Sequence, residues 1–146
     1  MLLQQENKKD VLNDNIMKIK IPSIKENVGV VESFIDNAKD KLKITDSVYG
    51  NVLIAVTEAV NNAIVHGNKE NRSKKVEISL RQYKNRLCFM IADEGIGFDE
   101  SKIPDPTNPN NLTNIKGRGV FLMKNLSDKI FFKKGGSLIK LVFNLV

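Results

Sequence analysis

The chain has 146 residues, 41% apolar and 27% charged, with a net charge of +6 at neutral pH. That allows one hydrophobic core and excludes a membrane-spanning reading, since no uninterrupted apolar run approaches the roughly 18 residues a bilayer helix needs. One cysteine and one histidine exclude an internal disulfide and a zinc ligand set, and with no signal-like apolar start they point to the cytoplasm.

Residues 1–15 are mostly polar and lack periodicity, which predicts a loose tail or a short added strand, with the domain proper at 16–146. Met17-Lys18-Ile19-Lys20-Ile21 alternates apolar and polar and reads as a half-buried strand closed by Pro22. Ser23, with Glu26 three residues on, predicts a capping box that opens a helix carrying Val28, Val31, Phe34, Ile35, Ala38 and Leu42 at helical spacing. A second helix is predicted from about Asp46 to His66, with Gly67 as its C-terminal cap. This helix is apolar around most of its circumference, so it is buried, and Glu58, Asn61 and Asn62 on it each need a partner or a job.

Val76, Ile78 and Leu80, a turn at Lys84-Asn85 and the run from Leu87 to Ala92 make a hairpin. After Asp93-Glu94-Gly95-Ile96-Gly97, a segment from about Phe98 to Lys116 holds three of the four prolines and reads as a lid. Gly117-Arg118-Gly119 leads into a short helix from Val120 to Leu126. Strands around Ile130–Phe132 and Leu138–Phe143, joined by Gly135-Gly136, complete the chain. The order predicts an α+β fold, a two-layer sandwich whose mainly antiparallel mixed sheet carries its helices on one face.

The positive charge gathers at residues 69–86 and 116–140, and the remainder of the chain is net acidic. There is no Trp, and Tyr83 is the only aromatic in either basic segment before Phe121. Stacking platforms for bases are therefore scarce, no direct nucleic-acid contact is expected, and the basic faces suit anionic ligands instead.

Two glycine pairs and one helix face carry candidate chemistry. Asp93 ends a buried strand, and Gly95 and Gly97 let the following backbone pass close to a flat ligand. Gly117 and Gly119 open a helix whose free N–H groups suit a phosphate, with Lys116 and Arg118 beside them. Glu58 and Asn62 are one helical turn apart and project together, so they fit either a magnesium ion held by oxygen ligands or a buried Glu–Asn hydrogen bond that fixes helix packing.

The succession Glu58-Ala-Val-Asn-Asn62-Ala, His66-Gly67, Asp93-Glu-Gly95-Ile-Gly97 and Gly117-Arg-Gly119-Val-Phe-Leu-Met resembles the boxes of the ATPase fold shared by gyrase, heat-shock chaperone and histidine-kinase ATP domains. It is most similar to the small bacterial anti-sigma factor serine kinases. The resemblance implies ATP and magnesium as ligands, with Asn62 on the metal, Glu58 as general base and Asp93 accepting a hydrogen bond from the adenine amino group. It further implies that Gly95 and Gly97 line the adenine pocket, that Gly117 and Gly119 hinge the lid, and that Ser137 matches a threonine of the last box. The implied partners are an anti-sigma factor antagonist and a sigma-like factor, with a possible homodimer and no membrane contact. A nucleotide-gated binding module without phosphoryl transfer is the alternative. A detached ATP domain of a two-component kinase is disfavoured, because no dimerisation helices precede Ile16 and His66, at a capped helix end, reads as a structural or ligand-adjacent residue and not a phosphorylation site.

Overall fold

The computed structural model describes residues 11–95 and 115–145. Its strands are β1 (Val11–Pro22), β2 (Lys75–Tyr83), β3 (Arg86–Ala92), β4 (Lys129–Lys133) and β5 (Leu138–Asn144), and its helices are α1 (Val28–Leu42), α2 (Asp46–Asn62) and α3 (Ile115–Leu126). The strands form one sheet in the order β1-β2-β3-β5-β4, and each pairing is antiparallel.

The alternation in β2 sets the layers. Val76, Ile78 and Leu80 are fully buried, and the register places Ile78 between Ile19 and Ile91 and Leu80 between Met17 and Phe89. Leu87, Phe89 and Ile91 of β3 and Ile139, Leu141 and Phe143 of β5 continue this apolar face, with the Phe89 and Phe143 rings edge to face at 6.0 Å. Against it lie Val31, Phe34, Ile35 and Ala38 of α1, Val52, Ala55, Val56, Ala59 and Val60 of α2, and Val120 and Met123 of α3. Each large side chain buried there contributes roughly 1.5–3 kcal/mol. On the opposite face Tyr83, Cys88 and Val142 form a small second cluster with Phe131, and the Arg86 guanidinium lies 4.3 Å from the centre of the Tyr83 ring.

Several expected boundaries move. β1 starts at Val11, inside the stretch read as tail, and its register with β2 shifts between Val11 and Ile16. The capping box does not form. Ser23 is fully buried and its hydroxyl donates to the Lys74 carbonyl at 2.7 Å, so a long-range bond wins over the local cap, and α1 begins at Val28 after a short 3-10 turn. Gly67 is not a left-handed cap, because α2 widens into a π turn over Ala63–Gly67. The helix run Asp46–Gly67 is long and apolar enough by composition to cross a membrane, but its buried side chains lie in the core. Gly117 and Gly119 do not precede α3. They lie within its first two turns, because the helix starts at Ile115.

Candidate functional site

β3 and β5 are central partners, and their ladder ends on the pair Ala92 and Leu138. One step beyond, the Asp93 N–H donates to the Ser137 carbonyl at 2.9 Å, which brings the expected acceptor and the expected last-box residue together. Ser137 is held by its own turn: its hydroxyl donates to the Lys134 carbonyl at 3.0 Å, and the turn needs Gly135 and Gly136 at φ 67° and 96°.

Asp93 Oδ1 accepts the Gly95 N–H at 2.7 Å. Burial pushes the Asp93 carboxyl above its ordinary pKa, while the Gly95 N–H and the nearby Lys74 pull it back. Its surroundings tolerate no side chain. A Cβ on Gly67 would lie 2.3 Å from Asp93 Oδ2, and one on Gly95 would lie 2.1 Å from the Gly67 carbonyl oxygen. The π turn therefore delivers Gly67 to Asp93, and the glycine is there for close approach. An open cleft of about 410 Å³ lies beside them, lined by Gly67, Gly95, Lys69, Asn71, Lys74 and Glu94 among others.

The other end of the site is built on α2. Asn62 is 6% exposed and Glu58 is half-buried, and the hydrogen bond between them that a packing role requires is not formed. Among the described residues neither side chain has a hydrogen-bond partner, and no polar side-chain atom is sealed off unpaired. The small exposed part of Asn62 thus includes its amide. The Glu58 carboxylate sits against the helix that carries the second glycine pair, since a Cβ on Gly119 would lie 3.0 Å from Glu58 Oε2. Gly117 is buried in the same helix, and Arg118 beside it is exposed. The backbone of Lys116 belongs to the first turn of α3. Gly97 and residues 98–114 of the expected lid lie outside the described residues, and the last two residues of that expectation, Ile115 and Lys116, belong instead to α3.

The structure thus gathers Asp93, Gly95 and Ser137 at the end of the central strands, and Glu58 and Gly119 where α2 meets α3, with Asn62 one turn further along α2. Residues 21–143 match the family of histidine kinase-like ATPase domains. The chain belongs to that family. Among ATPase-domain proteins of known sequence it is similar to the serine-protein kinase RsbW of Bacillus subtilis (strain 168), 29% identical over 124 residues, or 81% of this chain and 78% of that one. The serine-protein kinase RsbW of Oceanobacillus iheyensis is 28% identical over the same shares. Among solved structures, the RsbU and RsbW domains of Rv1364c from Mycobacterium tuberculosis superpose with a TM-score of 0.62 at 11% identity. They cover 88% of this chain and 31% of that one, a likeness of fold alone.

Sequence reasoning missed Asn68, which directly follows the π turn. It is 1% exposed, donates from Nδ2 to Ser23 Oγ and to the Lys75 carbonyl at 2.8 and 3.0 Å, and accepts the Glu94 N–H at 2.7 Å. Its one sequence signal is its place beside a helix-ending glycine. Lys69 and Glu70, both left-handed, then turn the chain toward β2.

Proposed function

We propose that this ATPase domain is a protein serine kinase. It binds ATP with magnesium, phosphorylates a serine of an anti-sigma factor antagonist, and sequesters a sigma-like factor when that antagonist is absent. The observation that carries the reading is the pair of polar side chains on α2. Asn62, 6% exposed, and Glu58 find no hydrogen-bond partner among the described residues, and neither polar group is sealed from solvent, so both are available to a ligand. The names of the relatives, serine-protein kinases over most of their length, support the same reading.

In this scheme Asp93 accepts a hydrogen bond from the adenine amino group, an acceptor that the guanine carbonyl would repel. Gly95 and Gly97 line the base, with Ser137 at the same end. The N–H groups that open α3, with Lys116 and Arg118, face the phosphates, and Gly117 and Gly119 keep side chains out of the way. Asn62 suits a magnesium ion, which would neutralise part of the triphosphate charge. Among the described residues no group of three His, Cys, Asp or Glu side chains comes together, so such an ion would draw its other oxygens from phosphate and water. Glu58 takes the proton of the incoming serine hydroxyl, the serine oxygen bonds to the γ-phosphorus, and the bond from that phosphorus to the β–γ bridging oxygen breaks, releasing ADP.

The proposal places the protein in the cytoplasm. It includes a homodimer, supported by the sheet face on which no described helix packs and on whose edge strand Ile16 is 46% exposed. The deciding experiment supplies labelled ATP and the acceptor-domain protein encoded beside this chain. Label transferred to an acceptor serine supports the kinase. ATP binding that gates partner capture, with no label under any condition, makes the protein a nucleotide-gated module instead.

A further inference from the structure

The three consecutive residues that present the base acceptor have every backbone N–H committed. Asp93 donates to the Ser137 carbonyl, Glu94 to Asn68 Oδ1, and Gly95 to the carboxylate of Asp93 itself. The middle bond fixes the peptide plane that joins Asp93 to Glu94, and with it the ψ angle of Asp93. Once that plane is set, Oδ1 stays with the Gly95 N–H, and Oδ2, lying over Gly67, is the oxygen left for a ligand.

Asn68 does this from a rigid base. Its Nδ2 donates to Ser23 at the end of β1 and to the first residue of β2, while Glu94 returns a bond by accepting the Lys75 N–H at 2.5 Å. Ser23 in turn donates to the Lys74 carbonyl. One buried side chain therefore ties the end of β1, the start of β2 and the residues after β3 into one unit.

We infer that Asn68 is the positioning residue for base selection, holding the Asp93–Glu94 peptide so that the free carboxylate oxygen meets an amino group and turns away a carbonyl. This rests on the reading of Asp93 as the adenine acceptor. A hydrogen-bonding site discriminates strongly only when its groups are held. A carboxylate free to rotate away from a mismatched carbonyl gives up much of the penalty that makes the choice.

The test measures the affinities of ATP and GTP by calorimetry on the full chain and on three variants. Wild type is expected to prefer ATP. Asp93→Ala is expected to remove the preference. Asn68→Ala is expected to weaken ATP roughly tenfold, about one hydrogen bond's worth, with GTP little changed. Ser23→Ala, which cuts the same unit without touching Glu94, is expected to lower the melting temperature and leave the ATP-to-GTP ratio unchanged. If Asn68→Ala keeps the wild-type ratio while Asp93→Ala loses it, the inference about Asn68 is wrong and the adenine reading stands. If Asp93→Ala also keeps the ratio, both fall. Amide exchange in wild type covers a variant that fails to fold: the Glu94 N–H is expected to be protected without nucleotide, and exchange at the rate of an open loop overturns the inference.

Discussion

The two ends of the site are built on opposite plans. Around Asp93 the protein satisfies itself, with three consecutive N–H groups paired, Asn68 engaged on both sides of its amide, and two glycine positions too tight for a methyl group. Around Glu58 and Asn62 it leaves two polar side chains of α2 without partners among the described residues. Recognition of a flat base needs a fixed template. A triphosphate and its cation bring their own charge and can complete an unfinished site. Under the proposed function, the contrast separates what the fold holds ready from what the ligand must supply.

The largest expected effect breaks the unfinished end. Glu58→Ala should lower phosphoryl transfer by about 10² to 10⁴ while leaving ATP affinity nearly intact, the range for losing a general base. Single-turnover transfer beside calorimetry separates the two quantities, and equal losses in both would return Glu58 to a binding role.

At the finished end, Gly95→Ala forces a methyl group onto the Gly67 carbonyl, a backbone atom that cannot swing aside. Overpacking of this kind costs about 1–3 kcal/mol, and the displaced loop should lose ATP affinity as well. Urea denaturation and calorimetry check both parts.

A smaller effect follows from the charge of Asp93. Burial raises its folded pKa above the ordinary 3.8, so the native state holds that proton more tightly than the unfolded chain does. The contribution of Asp93 to nucleotide-free stability is therefore greatest below the unfolded value. It falls as pH rises through the interval up to the raised value, then levels off. Asp93→Asn should flatten that fall in a pH series of denaturation curves. ATP binding should run the other way, strengthening as the carboxylate ionises.

The smallest expected effect lies outside the site. Lys39 pairs with Asp46 at 2.7 Å and stands over the Tyr49 ring, and Tyr49 donates a hydrogen bond to Asp36. The hydrogen bond and charge of Asp46 raise the Lys39 pKa. Asp46 is almost fully exposed and Lys39 about one third so, so Lys39→Met should move the melting temperature little and ATP affinity not at all.

The residues that repeat are the ones sequence reading located. Val76, Ile78 and Leu80 alternate because one face of β2 is core, and Glu58 and Asn62 stand one turn apart because α2 is a helix. What failed depended on partners distant in the chain. Ser23-x-x-Glu26 satisfies the local pattern of a cap, yet Ser23 bonds a carbonyl 51 residues away. Nothing local announces that α2 widens after Asn62, and that widening brings Gly67 and Asn68 to the residues after β3. The sequence reading places Gly117 and Gly119 ahead of the last helix because glycine is a poor helix former, whereas both lie inside α3, and close packing on Glu58 explains Gly119 there.

Two buried asparagines six residues apart put the contrast between the ends to its most direct test. Chemical denaturation of Asn62→Ala and Asn68→Ala, each with and without magnesium and ATP, compares them on one scale. Asn68→Ala is expected to lose about 2–3 kcal/mol of stability, because it removes three hydrogen bonds made by a buried side chain, one of them to the buried Ser23 hydroxyl. Asn62→Ala is expected to keep wild-type stability to within about 0.5 kcal/mol and to lose the extra stability that magnesium and ATP confer on wild type. A destabilised Asn62→Ala that still gains from the nucleotide would contradict the account, since Asn62 would then be part of the packing and the site would have no unfinished end.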